Sequence, residues 1–216
     1  MVNAASLEVA SRDKILDAAE DLFARRGFAG IGMREVAETA GLGKSSLFHH
    51  FNTKAELYAA VVGRILDHLD QQLTAALAAG GDPLVRFDRW LDTLIDSFGE
   101  HPTYARLLLR SLFEDDELTG AGEEEQHADR TIKRIFSSIG NLLREGMEAG
   151  MFRLASIPHS LQSIAGLTVY HFASGEFGEE LIGQPLFTAA ELRRRKQEVK
   201  ALLHHGLTVG ARKPSK

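Results

Sequence analysis

The side chains best suited to molecular chemistry lie together between Gly41 and Lys54. This stretch holds two lysines, two serines and two histidines but no aspartate or glutamate, so its local charge is +2. A helix that presents a cation, hydrogen-bond donors and an aromatic ring on one face can enter the major groove, touch base edges and meet phosphates. The chemistry predicted for this stretch is therefore recognition of duplex DNA.

Two short helices must position these side chains. The pattern predicts helices over Met33–Ala40 and Lys44–His50, joined by a tight turn in which Gly41 takes the left-handed conformation. Such a pair forms a helix-turn-helix unit. The predicted anchors of the second helix are Leu42, Leu47 and Phe51, and its outward side chains are Lys44, Ser45, Ser46, Phe48 and His49.

Other kinds of site have little support in the sequence. The absence of cysteine excludes disulfides, thiolate metal sites and a cysteine nucleophile. The nine histidines are scattered and show no His-x-x-x-His spacing, so we predict no metal site and no catalytic residue. Gly43-Lys44-Ser45 matches the end of a phosphate-binding loop, but Glu38 stands where that motif requires glycine. No cofactor is predicted.

Composition sets wider bounds. The chain has 216 residues, 44% of them hydrophobic, and a formal net charge of −5. This balance argues against a protein coated in basic surface, yet it leaves room for a local basic face. No apolar stretch approaches the roughly 20 residues that a membrane span needs. These features predict a globular cytoplasmic protein without a membrane partner.

The spacing of apolar residues is helical nearly throughout and predicts an all-α fold of about nine helices. Their predicted positions are Ser11–Arg26, Met33–Ala40, Lys44–His50, Lys54–Ala79, a helix opening at Pro83, another opening at Pro102, Glu123–Ala149, Pro158–Ala173 and Ala189–Leu207. The helices are short before residue 54 and long after it. We therefore predict an N-terminal domain over residues 1–53 and a helical-bundle domain over residues 54–216.

The ends of several elements carry recognisable signals. Ser11 is predicted to cap the first helix, Gly27 to end it, and Asn52 or Thr53 to cap the helix that opens at Lys54. The remaining expectations are a loop over residues 174–188, a solvated acidic connector over Glu114–Glu125, and a solvated helix face over Arg193–Lys196.

The N-terminal region resembles the DNA-binding domain of the TetR/AcrR family of bacterial transcriptional regulators. The similarity is carried by Ile15–Gly30, Met33–Phe51 and Asn52–Val61. It implies that Lys44–His50 is the recognition helix. The residues that the resemblance assigns to DNA are Arg34, Lys44, Ser45, Ser46, Phe48, His49 and Lys54. Gly43 departs from the family pattern by lacking a capping hydroxyl, and Phe48 departs from it by standing where tyrosine is common.

The resemblance also implies a function for the rest of the chain. It predicts a homodimer formed by Pro158–Ala173 and Ala189–Leu207, and a repressor released from its operator by a small-molecule effector. The Lys54–Ala79 helix would link the two domains. The predicted effector pocket consists of Trp90, Leu94, Phe98, Tyr104, Leu108, Ile132, Phe136, Gln162, Tyr170 and His171.

Two alternatives stay open at this point. The chain can be an all-α small-molecule-binding protein or enzyme whose N-terminal helical hairpin is only structural. It can also be an activator, or a regulator without an effector, because the sequence does not distinguish these from a repressor.

Overall fold

The computed structural model describes residues 4–113 and 122–209, and within these ranges it contains ten α-helices. They are α1 (Ala4–Arg26), α2 (Met33–Thr39), α3 (Lys44–His50), α4 (Lys54–Ala78), α5 (Pro83–Glu100), α6 (Tyr104–Ser111), α7 (Glu123–Glu148), α8 (Ile157–Ala173), α9 (Glu176–Ile182) and α10 (Ala189–Leu207). The predicted all-α fold is confirmed. The β-contact between Phe152 and Thr208 is a single isolated bridge.

Two predictions about element boundaries are wrong. Helix α1 begins at Ala4, because residues 4–10 contain neither glycine nor proline and the helix continues through them. Ser11 therefore does not cap a helix, and its Oγ donates to the carbonyl of Glu8 at 3.3 Å. The predicted loop at residues 174–188 contains α9, whose two ends lie next to glycines. Of the predicted acidic connector, residues 114–121 lie outside the described residues.

Local hydrogen bonds fix the predicted helix ends around α4. Thr53 caps α4, since its Oγ1 accepts from the backbone N–H of Glu56 at 3.0 Å. The Glu56 carboxylate in turn accepts a 2.8 Å hydrogen bond from the backbone N–H of Asn52, the residue before Thr53. Reciprocal bonds of this kind satisfy donors that a helix start leaves unpaired. Gly27, which follows α1, has φ 72° and ends that helix as predicted.

The packing divides the chain into two compact units that do not follow chain order. One contains the residues up to Asp67 together with Arg106–Thr131, and the other contains His68–Ala105 together with the residues from Ile132 onward. The predicted DNA-binding segment, residues 1–53, lies within the first unit. The division falls inside α4, α6 and α7, so each unit includes part of all three helices.

The core of the first unit centres on aromatic side chains. The Tyr58 ring meets Phe23 and Phe28 edge to face, at centroid distances of 5.0 and 5.5 Å, a favoured geometry for aromatic pairs. Tyr58 comes from α4 and Phe23 from α1, so these rings fasten the two long helices together. Leu47 of α3 is fully buried in the same unit.

In the second unit, α5 and α10 are joined by a ladder of two lysine–aspartate ion pairs and one histidine–aspartate contact. Lys196 Nζ lies 2.6 Å from Asp96, Lys200 Nζ lies 2.9 Å from Asp92, and His204 Nε2 lies 2.6 Å from Asp88. Both sets of residues are spaced by four, so each lies along one helix face. The residue numbers of the pairs increase along α10 as they decrease along α5, so the two helices are antiparallel.

Candidate nucleic-acid interface

The turn between α2 and α3 is built by Gly41. Its φ is +69°, in the left-handed region that glycine enters without steric cost. The N–H of Gly41 donates to Glu38 O at 3.1 Å, and the N–H of Leu42 donates to Ala37 O at 2.9 Å. These two bonds form a Schellman motif, which ends a helix by pairing its last carbonyls. The turn therefore fixes the direction in which α3 leaves α2.

Buried side chains seat α3 in the first unit. Leu47 and Phe51 are fully buried, and so is Val36 of α2. Ala37 is also buried, as expected for a small residue where two helices cross closely. Of the three predicted anchors, Leu47 and Phe51 are fully buried, whereas Leu42 is only half-buried. The two buried anchors determine which side chains of α3 point outward.

The outward face of α3 carries the predicted DNA-contacting set. Lys44, Ser45, Phe48 and His49 are exposed, and Ser46 is half-buried. The ammonium group of Lys44 lies 5.5 Å from the centre of the Phe48 ring, within cation–π range. Gly43 is the N-cap residue of α3, and glycine has no side-chain oxygen that could accept a hydrogen bond. No side chain therefore caps the backbone N–H groups at the start of α3.

Arg34 lies on α2 beside this face. Its Nε donates to the Glu38 carboxylate at 2.8 Å, and both side chains are largely exposed. The hydrogen bond and the charge of Glu38 raise the pKa of Arg34. A groove of about 300 Å³ lies between α2 and the start of α3. It is lined by Arg34, Ala37, Glu38, Leu42 and Lys44.

Lys54 has a second role that the sequence did not indicate. Its Nζ donates to the carbonyls of Phe28 and Ile31, at 2.9 and 3.1 Å, and lies 4.1 Å from the centre of the Phe28 ring. These contacts tie the start of α4 to the loop between α1 and α2. An ammonium group has three N–H donors, and these two hydrogen bonds use two of those of Lys54.

The two histidines at the end of α3 contact α1. His50 Nε2 lies 2.7 Å from Ser11 Oγ, and His49 Nε2 lies 3.4 Å from a carboxylate oxygen of Glu8. Because α1 was predicted to begin at Ser11, the contact with Glu8 was not foreseen. These contacts hold the C-terminal end of α3 against α1.

The predicted effector-pocket residues fall into two groups by exposure. Phe136, Gln162 and Tyr170 are exposed, and Leu108 and Ile132 are half-buried. The buried members are Trp90, Leu94, Phe98, Tyr104 and His171. The Tyr104 hydroxyl lies 3.1 Å from Nδ1 of His68. Whether these residues line an effector pocket stays a prediction.

Sequence comparison identifies the family to which this geometry belongs. A family model described as bacterial regulatory proteins of the tetR family matches residues 15–61. A second model, the tetracyclin repressor-like C-terminal domain, matches residues 83–202, which is more than half of the chain. The chain belongs to the TetR family. The family predicted from Ile15–Val61 is therefore confirmed, and it is a family of transcriptional regulators.

Named relatives include both activators and repressors. The chain is 36% identical over 149 residues to the transcriptional activator FasR of Mycolicibacterium smegmatis, an alignment that covers 68% of this chain and 65% of the relative. It is 28% identical over 144 residues to the transcriptional repressor SCO4008 of Streptomyces coelicolor, covering 66% of this chain and 67% of that protein. The alignments thus span about two thirds of these TetR relatives.

A solved structure of the same fold covers more of the chain. AibR, crystallised with isovaleryl coenzyme A and operator DNA, superposes with a TM-score of 0.72 at 18% sequence identity. The match covers 89% of this chain and 97% of that one. At this identity the likeness establishes a shared TetR fold. In addition, no helix among the described residues is long and apolar enough to span a bilayer.

Proposed function

We propose that this TetR-family chain is a one-component transcriptional regulator that binds operator DNA through α3 as a homodimer. The observation that carries the proposal is the division of α3 into two faces. Leu47 is fully buried, whereas Lys44 and Phe48 are exposed next to each other. An exposed aromatic ring beside a cation suits contact with base edges and phosphates. A hairpin with a purely structural role has no reason to expose Phe48.

The basic groups available to DNA are few. Arg34, Lys44 and Lys54 lie on α2, α3 and the start of α4. Each phosphate contact adds to affinity and to its salt dependence, with a slope of about −0.9 per neutralised phosphate. We therefore expect a modest salt slope per subunit, with base contacts and dimerisation supplying the rest of the affinity.

The test is binding to duplex DNA from the chain's own upstream region, measured by fluorescence anisotropy at several salt concentrations. Lys44→Ala and Phe48→Ala are each expected to weaken binding about fivefold to 150-fold, the equivalent of one lost contact of about 1–3 kcal/mol. Lys14→Ala removes an exposed lysine from α1 and serves as the matched control. If both α3 variants bind like the wild type, the proposed function is wrong and the alternative of a structural hairpin stands.

The proposed homodimer uses α8 and α10, packed against the same helices of a second copy. Tyr170 of α8 and Leu202 of α10 support this, because more than half of each side chain is exposed. Two helix-turn-helix units related by a twofold axis would read half-sites about one DNA turn apart. Sedimentation of wild type and Leu202→Asp tests the assembly, and the aspartate variant is expected to sediment as a monomer.

The proposed control by a small molecule rests on the predicted effector pocket. AibR, with its bound isovaleryl coenzyme A and operator DNA, supports an effector-controlled mode for this chain. An effector changes DNA affinity only if it binds the DNA-free and DNA-bound states differently. We favour a repressor acting in the cytoplasm, and transcription from the upstream promoter, with and without the chain, distinguishes repression from activation.

A further inference from the structure

Besides Trp90 Nε1, two buried nitrogen atoms of the second unit lack a hydrogen-bond partner among the described residues. They are Nε2 of His171 on α8 and Nε of Arg195 on α10. The His171 side chain is more than nine-tenths buried, with 7% of its surface exposed. Buried polar atoms are nearly always paired, because leaving one unpaired costs about 1–3 kcal/mol. Two such atoms on neighbouring helices are candidates for binding a group from outside the chain.

The two side chains are neighbours. The Arg195 guanidinium donates to the carbonyl of Leu167. Leu167 lies one helical turn before His171, so both residues are on one face of α8. The charge of Arg195 also contributes to lowering the pKa of His171. Both unpaired nitrogens therefore belong to side chains that lie where α8 packs against α10.

Arg195 is a cation without an ion pair among the described residues. Glu191 and Glu198 raise its pKa through their charges, but burial has the larger effect and lowers it. The Glu191 carboxylate is instead bonded to the side-chain amide of Gln184 at 2.8 Å. Arg195 is half-buried, but its Nε–H is fully buried and has no acceptor, and a guanidinium with an unused N–H donor favours an anionic ligand.

The surroundings define the rest of the ligand. The Phe172 ring lies 4.7 Å from His171, 5.7 Å from Phe98 and 5.8 Å from Phe187 by centroid distance. Phe98 and Phe172 are almost fully buried. Aromatic side chains of this kind form an apolar wall that suits a hydrocarbon chain.

We propose that Arg195 and His171 bind the carboxylate of an effector whose apolar part packs against Phe172. Arg195 Nε–H donates to one carboxylate oxygen, and His171 donates to the other from its Nε2–H tautomer. This inference rests on the proposed effector-controlled function and names the chemical class of the ligand. It also corrects the expectation that Arg193–Lys196 is a solvated face, because Arg195 points inward.

The test uses the full chain with ¹⁵N-labelled histidine and hexanoate as the probe, with hexanamide as its uncharged counterpart. Hexanoate is expected to shift the His171 Nε2 signal, which is assigned by its loss in His171→Phe. Hexanamide is expected to bind at least tenfold more weakly. Arg195→Gln is expected to abolish the shift, whereas Arg194→Gln, an exposed neighbour on α10, is expected to retain it.

Several results would overturn the proposal. They are an unchanged His171 signal with hexanoate, equal binding of hexanamide, an Arg195→Gln variant that responds like the wild type, or a change in sedimentation that assigns Arg195 to a subunit interface. If Arg195→Gln does not fold, Arg195→Lys keeps the charge and serves instead. Binding of the wild type to its upstream duplex is measured in the same preparation, so failure of the proposed function is seen separately.

Discussion

The Nε atom of Arg34 donates a 2.8 Å hydrogen bond to the carboxylate of Glu38, one turn further along α2. Both residues line the groove that also contains Lys44. Glu38, an acid that lines this groove, is therefore bonded to a cation that the proposed DNA contact uses. Binding a phosphate at Arg34 requires the guanidinium to leave Glu38 or to share its donors between two anions.

We predict that Glu38→Gln strengthens DNA binding. Removing the carboxylate frees Arg34 and removes a negative charge from the groove, so affinity should rise about threefold to tenfold, with a salt slope steeper by about one. Anisotropy titrations over a range of salt concentrations measure both quantities. Glu35→Gln is the matched control, since Glu35 lies on the same helix but pairs with Arg26 at 2.5 Å. Equal effects of the two changes would contradict a specific role for Glu38.

The turn glycine gives a prediction about stability. Gly41 has φ +69°, and a Cβ atom there would meet nothing within 4 Å, so the cost of Gly41→Ala is backbone strain alone. We expect a loss of about 1–2 kcal/mol in the free energy of unfolding. Chemical denaturation measures this loss. Gly32→Ala is the control, because a Cβ there also meets nothing and its φ of −110° suits any residue. A similar loss in both variants would contradict the explanation.

Much of the helix-turn-helix structure could be predicted from the sequence, because it depends on residues that are close together in the chain. The bounds of α3, the left-handed Gly41 and the burial of Leu47 depend on residues within a few positions, and all three are as predicted. The start of α1 was misplaced because Ser11 is a good capping residue, although nothing before it breaks the helix. Helix α9 was missed because its seven residues lie among glycines and a proline.

The environments of individual charged side chains could not be predicted from the spacing of apolar residues, because they depend on tertiary contacts. The polarity of the run 193–196 predicts exposure for all four side chains, yet Arg195 packs inward and Lys196 pairs with Asp96. Likewise, Lys54 resembles a DNA contact in sequence, and only its distance to two carbonyls reveals a structural role. Sequence spacing indicates which side chains share a face, but not what that face meets.

Lys54 gives a second prediction about stability. In Lys54→Met the carbonyls of Phe28 and Ile31 lose a charged donor, and the ring of Phe28 loses its cation. We expect the free energy of unfolding to fall by about 1.5–3 kcal/mol, the range for hydrogen bonds to charged groups. Lys14→Met, at an exposed position of α1, should change it by less than about 0.5 kcal/mol. An unchanged stability in Lys54→Met would leave only the DNA-contacting role for this residue.

The buried His171 gives a prediction about pH. Burial, followed by the charge of Arg195, lowers the pKa of His171 from 6.5 to about 4. The unfolded chain therefore binds more protons than the folded chain between these values, so stability is present above pH 6.5 and is lost as pH falls toward 4. Between pH 7 and pH 5 the loss should be about 2 kcal/mol, since one pKa unit corresponds to about 1.4 kcal/mol and pH 5 lies about 1.5 units below the pKa of 6.5 in the unfolded chain. Unfolding of wild type and His171→Phe, measured without ligand at pH 7 and pH 5, isolates this contribution from the other histidines. The wild type should lose more stability than the variant, and parallel losses would show that His171 does not titrate in this way.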